Sequence, residues 1–421
     1  MKYTLPRCRD VAFSVTAPPS KSFTHRAFII AALGTGSSTI ENPLLADDTR
    51  LTLQALEQLG VPVTQGPDQV IIEGSDGRFT CGTGTTLYLG NSGTSLRLLA
   101  TLALLADHPV TLTGSARMQE RPVGPLADAL RSLGGEITFL QNNGFPPFTV
   151  SGSLSGGTAT IDGSISSQFI SSILIASPYA KNEVDLVVSG KAASRSYLDI
   201  TASVMQAFGA GLKREGCTRF HVSNRHHYKG RKYVIEGDYS SASYFFAMAA
   251  VCGGKVTVTN LAPESVQGDR AFLDALIRMG CRVVRSKNSV TVERTGKLTG
   301  IRFDMSSSPD TVQTLCMVAA VADTPTIITG IGHLKFKESD RIAGTAENLR
   351  RLGGDVTTES DRITIRPAAL HGGTIDPADD HRTAMSFAVL GLAIGGVTIT
   401  DAECVQKSFP GFWETLSGVI T

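Results

Sequence analysis

Apolar residues recur along this chain at two spacings, and stretches of the one kind alternate with stretches of the other. Val123, Leu126, Leu130 and Leu133 follow helical spacing, as do Ile342, Ala346, Leu349 and Leu352. Both series stop at a glycine, Gly134 and Gly353, the residue that best tolerates the left-handed backbone of a helix end. "RFHVSN" (219–224) and "DRITIRP" (361–367) alternate with period two, as half-buried strands do.

The pattern repeats. A helix-ending glycine follows an apolar run at Gly60, Gly134, Gly209, Gly280 and Gly353, with steps of 74, 75, 71 and 73 residues. A shorter sixth copy is expected to end in "ETLSG" at Gly418. A second marker, a β-rich run closed by a turn residue, falls at Asn42, Gly114, Gly190, Asn260, Gly330 and Asp401, in steps of 72, 76, 70, 70 and 71. Two independent markers with one period predict six copies of one unit, each reading strand, helix, strand, helix, then two strands.

The first helix of each copy has a polar start. These are "SKS" (20–22), "NSGTS" (91–95), "SSQF" (166–169), "DYSSAS" (238–243), "SSSPDT" (306–311) and "DHRTA" (380–384). Capping alone would explain any one of them. Six helix N-termini from two groups of three copies could instead face a common cleft, where their unpaired N–H groups suit phosphates and carboxylates.

Composition narrows the function. The chain has 421 residues, enough for two domains, and a net charge of +1, which argues against a general nucleic-acid or membrane-surface binder. No apolar run approaches the roughly 20 residues of a membrane span, and the N-terminus has no signal core. Seven dispersed cysteines (8, 81, 217, 252, 281, 316, 404), without a CxxC pair, read as reduced thiols of a cytoplasmic protein. No histidine spacing suggests a metal site, and neither a GxSxG elbow nor a GxxxxGK[ST] loop occurs, so nucleophilic serine and ATP chemistry are not indicated.

Charge is instead concentrated locally. "KFKESDRIAG" (335–344) places Lys335, Lys337, Glu338, Asp340 and Arg341 within seven positions of a chain that is 18% charged. Lys21, Arg26, Arg97, Arg117, Arg121, Arg382 and Lys407 lie at equivalent strand-to-helix junctions of the repeat. Each alone is an ordinary surface cation; together they suit a ligand with several anionic groups. Asp310 and Glu338 are the carboxylates placed for proton transfer, whereas Asp340 reads as an ion pair within its own turn.

The blocks "PPSKSFTHRA" (18–27), "GNSGTSLR" (90–97), "RMQERPVGPL" (117–126), "SSQFISSIL" (166–174), "PDT" (309–311), "KESDRIAG" (337–344), "DHRTAMSFAVLGL" (380–392) and "KSFPGFWETL" (407–416) span nearly the whole chain in order. With them the sequence resembles the EPSP synthase family of enolpyruvyl transferases. The resemblance implies a two-lobed α/β fold, the inside-out α/β barrel of six βαβαββ repeats, three per domain. Residues 20–235 would form one lobe, and residues 1–19 with 236–421 the other, with the active site in the cleft and hinge closure on binding. It also implies transfer of the enolpyruvyl group of phosphoenolpyruvate to the 5-hydroxyl of shikimate 3-phosphate, with release of phosphate, by a cytoplasmic monomer that needs no cofactor or metal and has no nucleic-acid or membrane partner.

By the same resemblance, Lys21, Ser22, Arg26, Ser166, Ser167, Gln168, Ser194, Tyr197, Asp310, His333 and Lys337 would meet shikimate 3-phosphate. Lys21, Asn91, Gly93, Thr94, Arg121, Gln168, Lys337, Arg341, Arg382 and Lys407 would meet phosphoenolpyruvate. Glu338, with Lys21, is suited to the methylene proton and Asp310 to the hydroxyl proton. Two positions depart from the family's pattern: His333 stands where many members have Asn, and Leu98 where Pro is common. Gly93 leaves room beside that loop, which implies sensitivity to glyphosate-like inhibitors.

Two other readings compete. A relative acting on UDP-N-acetylglucosamine would have a Lys-Asn pair near its start and a cysteine in a mobile loop. Here Lys21 precedes Ser22, and "GSARMQERP" (114–122) lacks cysteine. A non-catalytic anion-binding repeat protein would have no use for both Asp310 and Glu338.

Overall fold

The computed structural model describes residues 1–190 and 192–420. The chain divides into two compact units, Pro19–Ile235 and Met1–Pro18 with Glu236–Thr421. Each has its own apolar core, one around Phe28, Leu53, Leu99 and Ile173, the other around Phe245, Leu276, Leu315 and Phe387.

One sheet plan serves most repeats. In the third, Gly157–Asp162 pairs in parallel with Val184–Ser189, which pairs antiparallel with Arg219–Val222, itself antiparallel to Leu212–Glu215. The second and fifth repeats follow the same order. In the first and fourth repeats the opening strand comes from elsewhere in the sequence. Lys232–Val234 supplies it beside Ser37–Glu41, and Val11–Thr16 supplies it beside Gly254–Thr259. Among the described residues the sixth repeat has no counterpart of the last two strands; its Gly373–Ile375 pairs in parallel with Val397–Ile399, which Tyr3–Thr4 joins antiparallel.

The two helices of a repeat differ in burial for a compositional reason. First helices such as Tyr239–Cys252 and His381–Ile394 are apolar or small on nearly every side and run through the core. Second helices such as Arg341–Arg351 bury one face, with Ile342, Ala346 and Leu349 as its apolar stripe, and expose Ala343, Glu347, Arg350 and Arg351 on the other. The five helix-ending glycines have φ between 82° and 104°, as their position at the C-terminus requires. Gly418 differs from expectation. It lies inside the helix Phe412–Ile420.

Side-chain capping is also narrower than the sequence suggests. Ser92, Ser166, Asp238 and Asp380 accept a backbone N–H of their helices. Ser20 makes no such bond, and the helix Val312–Ala320 is entered through a 3-10 turn, Pro309–Thr311. Asp340 caps the helix Arg341–Arg351 through Ile342 N and Ala343 N, 3.1 and 3.0 Å, rather than forming an ion pair within its turn. Among the described residues no helix is long and apolar enough to cross a membrane.

Candidate active site

In the unit Glu236–Thr421 three helix starts bring their charges onto one guanidinium. Arg341 is the first residue of its helix and is 2% exposed. Its Nη1 donates to Asp310 Oδ1 at 3.0 Å, its Nη2 to Glu338 Oε2 at 2.9 Å and its Nε to Asp380 Oδ2 at 2.8 Å. Asp310 stands in the 3-10 turn before one helix and Asp380 caps another, so residues 31 and 39 positions from Arg341 meet it only because the helix starts converge. Burial alone would lower the guanidinium's pKa, but Asp380, Glu338 and Asp310 reverse that and raise it.

The second oxygen of Asp310 accepts Arg382 Nη2 at 2.7 Å, and Arg382 Nη1 donates to the Tyr244 hydroxyl at 3.2 Å. Asp310 is therefore gripped by one guanidinium on each oxygen, a charge-assisted arrangement that fixes its direction. Burial pushes the Tyr244 phenol up to about 12, against the pull of Arg382, so it stays a neutral acceptor. His333 lies in the 3-10 turn Gly332–Phe336, where burial and then Lys337 push it down to about 3. It is a neutral ring at pH 7, able to exchange hydrogen bonds but not to serve as a cation. Lys337 follows that turn, and Lys407 closes the turn Ala402–Lys407, 8% exposed.

The unit Pro19–Ile235 gathers the other candidates in small groups. Arg26, one turn into the helix Lys21–Leu33 and 1% exposed, donates to Thr201 Oγ1 at 2.8 Å, Ser171 Oγ at 3.4 Å and the carbonyls of Ser22 and Tyr197 at 3.0 and 3.3 Å. It thereby ties Ser22 to Tyr197. Burial pushes Arg26 down to about 10. Arg121 donates to the carbonyl and Oδ1 of Asn91 at 3.0 and 3.2 Å. A Cβ at Gly93 would stand 2.5 Å from that guanidinium, so the loop and Arg121 approach only because residue 93 is glycine.

Gln168 links two further helix starts, donating to Thr94 Oγ1 at 2.9 Å and accepting Arg97 Nη1 at 2.9 Å. Ser166 caps the helix that begins at Ser167. Ser194 is buried with φ 53°, a left-handed turn that precedes Tyr197 and its helix Ser196–Ala207. Lys21 Nζ lies 3.0 Å from Asp48 Oδ2. Leu98 is buried in the helix Gly93–Leu102, and its carbonyl accepts Ser172 Oγ at 3.3 Å.

Within the unit Glu236–Thr421, buried guanidinia at helix starts around salt-bridged carboxylates are chemistry suited to anions and to proton transfer. The family model described as EPSP synthase (3-phosphoshikimate 1-carboxyvinyltransferase) matches residues 7–416. The chain belongs to the EPSP synthase family.

Its relatives include the 3-phosphoshikimate 1-carboxyvinyltransferase of Methanoregula boonei, 67% identical over 420 residues and covering 100% of both chains. That of Methanoculleus marisnigri is 60% identical, over 97% of this chain and 96% of the relative. A solved EPSP synthase from Acinetobacter baumannii superposes with a TM-score of 0.83 at 28% identity, covering 100% of this chain and 98% of that one. The fold is thus the mixed α/β, two-domain enolpyruvyl transferase fold.

Three acidic residues in this EPSP synthase fold escaped the reading of the sequence as site groups. Asp380 looked like a cap alone, yet the same carboxylate also holds Arg341 and Ser339 Oγ. Asp48 is one of two acidic residues in the first turn of a helix, a position that ordinary dipole pairing would explain. Asp269 lies in a short turn with no local pattern, and Ser240 Oγ donates to it at 2.5 Å. No local signal separates them, since Asp48 stands beside Asp47 and Arg50, Asp269 beside Arg270, and Asp380 beside Asp379, His381 and Arg382.

Proposed function

We propose that Asp310 and Glu338 perform the proton transfers of this enzyme and that the buried cations around them and in the other unit bind its two substrates. As an EPSP synthase the chain transfers the enolpyruvyl group of phosphoenolpyruvate to shikimate 3-phosphate in the shikimate pathway. The observation that carries the residue assignment is the shared clamp: one buried guanidinium holds both carboxylates, at 3.0 and 2.9 Å. A carboxylate held so has a fixed direction and needs no reorganisation at the moment of reaction.

In this reading Glu338, which must carry a proton in the substrate complex, delivers it, with Lys21, to the methylene carbon of phosphoenolpyruvate and is left as a carboxylate. The neighbouring carbon becomes cationic, and the 5-hydroxyl of shikimate 3-phosphate attacks it while Asp310 takes the hydroxyl proton. Loss of a methyl proton and of phosphate restores the double bond. Arg121, Lys337, Arg341, Arg382 and Lys407, with Asn91, Gly93, Thr94 and Gln168, hold phosphoenolpyruvate. Ser22, Arg26, Ser166, Ser167, Ser194, Tyr197 and His333 hold shikimate 3-phosphate, joined by Lys21, Gln168, Asp310 and Lys337.

The support for this division is chemical. Arg26 is a buried cation whose hydrogen bonds go to hydroxyls and carbonyls, so its charge can answer a phosphate or a ring of hydroxyls. Burial raises the thiol pKa of Cys252, Cys281, Cys316 and Cys404, and all seven cysteines are free, in keeping with a reducing cytoplasm. We place the enzyme there, acting as a monomer, which sedimentation of the purified protein checks.

The test is phosphate release from phosphoenolpyruvate with shikimate 3-phosphate, with UDP-N-acetylglucosamine as the alternative acceptor. Glu338→Gln and Asp310→Asn should each lower kcat by about 10²–10⁴ while shikimate 3-phosphate still binds. Full turnover in either variant would remove that carboxylate from the chemistry. Binding without release in the unaltered protein would leave an anion-binding protein.

A further inference from the structure

We infer that Asp48 is the positioning residue that sets the Lys21 ammonium for the reaction; the inference rests on the reading that Lys21 contacts the substrates. Lys21 opens its helix and is 9% exposed, and Asp48 is 2% exposed. Their charges meet at 3.0 Å, 27 residues apart in sequence. A lysine has four rotatable side-chain bonds and a compact charge, so an ammonium that must act at one atom needs a partner that removes that freedom.

Asp48 is itself anchored on both sides. It occupies the first turn of Asp47–Gln58, where the helix N-terminus favours a carboxylate. The entry to that helix is stapled by Thr49, whose Oγ1 donates to the Leu44 carbonyl at 2.6 Å and accepts Ala46 N at 3.0 Å. The Asp48 carbonyl accepts Ser95 Oγ at 3.1 Å. Ser95 Oγ in turn pairs with Ser92 Oγ at 2.6 Å and with Thr52 Oγ1 at 2.8 Å, and Thr52 pairs with His25 Nδ1 at 2.8 Å.

Every member of that hydroxyl network is fully buried, and it spans three helices. Ser92 caps the helix Gly93–Leu102, whose start carries Asn91 before the cap and Gly93 and Thr94 after it. The backbone of Asp48 is therefore fixed to the start of that helix, and its side chain to Lys21. One residue holds the ammonium in register with the 91–94 loop. A merely structural ion pair would not need an anchor on the same helix start that carries the loop.

The experiment is a double-mutant cycle on the full chain with Lys21→Met, Asp48→Asn and both together. It measures kcat, both KM values, shikimate 3-phosphate binding by calorimetry and thermal unfolding. Asp48→Asn keeps the shape and the backbone hydrogen bonds while removing the charge. It should lower kcat by about 10- to 100-fold, as loss of an orienting partner behind a working group does. In the Lys21→Met background the same change should cost less than about threefold, because its effect runs through Lys21. Asp48→Glu, which restores the carboxylate one methylene out of place, should recover part of kcat and guards against a misfolded Asp48→Asn.

Equal losses from Asp48→Asn in both backgrounds, or no loss beside an impaired Lys21→Met, would overturn the inference alone. Unchanged turnover in Lys21→Met would remove Lys21 from the chemistry and the inference with it.

Discussion

Arg26, one turn into its helix, and Arg341, at the start of its own, are both buried arginines, 1% and 2% exposed, yet their surroundings are opposite. Arg26 donates to two hydroxyls and two carbonyls, and burial pushes its pKa down to about 10. Arg341 meets Asp310, Glu338 and Asp380, and these raise its pKa in spite of burial. The lesson is that a guanidinium can be buried for two purposes. With neutral partners its charge remains available to an anionic ligand. With three carboxylates it also fixes the direction of the acids beside the phosphoenolpyruvate it is proposed to hold.

The largest effect expected from this contrast follows removal of Arg341. Arg341→Met leaves three carboxylates facing one another without their shared cation, and should destabilise the protein by about 3–5 kcal/mol. Turnover should fall with it, since Asp310 and Glu338 lose their common anchor. Denaturant unfolding followed beside the phosphate-release assay checks both, and unchanged stability would break the comparison.

Arg26→Met should act the other way round. It leaves hydroxyls and carbonyls short of a donor, at about 1–3 kcal/mol. Its main consequence should be weaker shikimate 3-phosphate binding, by tenfold or more, read by calorimetry. A variant with normal affinity and a collapsed kcat would place Arg26 with Arg341 instead.

The smallest effect sharpens the acidic side. Burial and then the nearby Asp310 push Asp269 up to about 7. An unfolded aspartate ionises near 4, so the folded state holds a proton that the unfolded state releases between about pH 4 and 7. The contribution of Asp269 is therefore fully present below pH 4 and is lost as pH rises toward 7. Asp269→Asn should flatten this part of the stability profile, most visibly above pH 5, in unfolding curves taken across that range. An unaltered slope would detach Asp269 from the Asp310 cluster.

Much of this arrangement is legible before folding, because its causes are local. A glycine that ends a helix, a polar residue that starts one and a two-residue alternation each depend on a few neighbours, so the six repeats and their helix starts stand out along the chain. The side chains of Asp310, Glu338 and Arg341 stand out for the same reason, as charges in an apolar sequence. The first strands of the first and fourth repeats were legible only in part: residues 1–19 were expected with 236–421, but not the sheet that each of these strands opens. Lys232–Val234 and Val11–Thr16 are strands by composition, but which sheet takes them depends on where the chain crosses between units.

The acidic partners were the other hidden part. Asp380 meets Arg341 across 39 residues, and Asp48 meets Lys21 across 27. Such pairs are chosen by which helix starts converge and by how much water is excluded there, and burial then turns an ordinary surface charge into a fixed one. The sequence alone determined the repeat, five of the expected glycine helix ends and the chemical types available. Only the tertiary structure decided which carboxylate holds which cation, because charge pairing inside a protein is set by packing distance and not by distance along the chain.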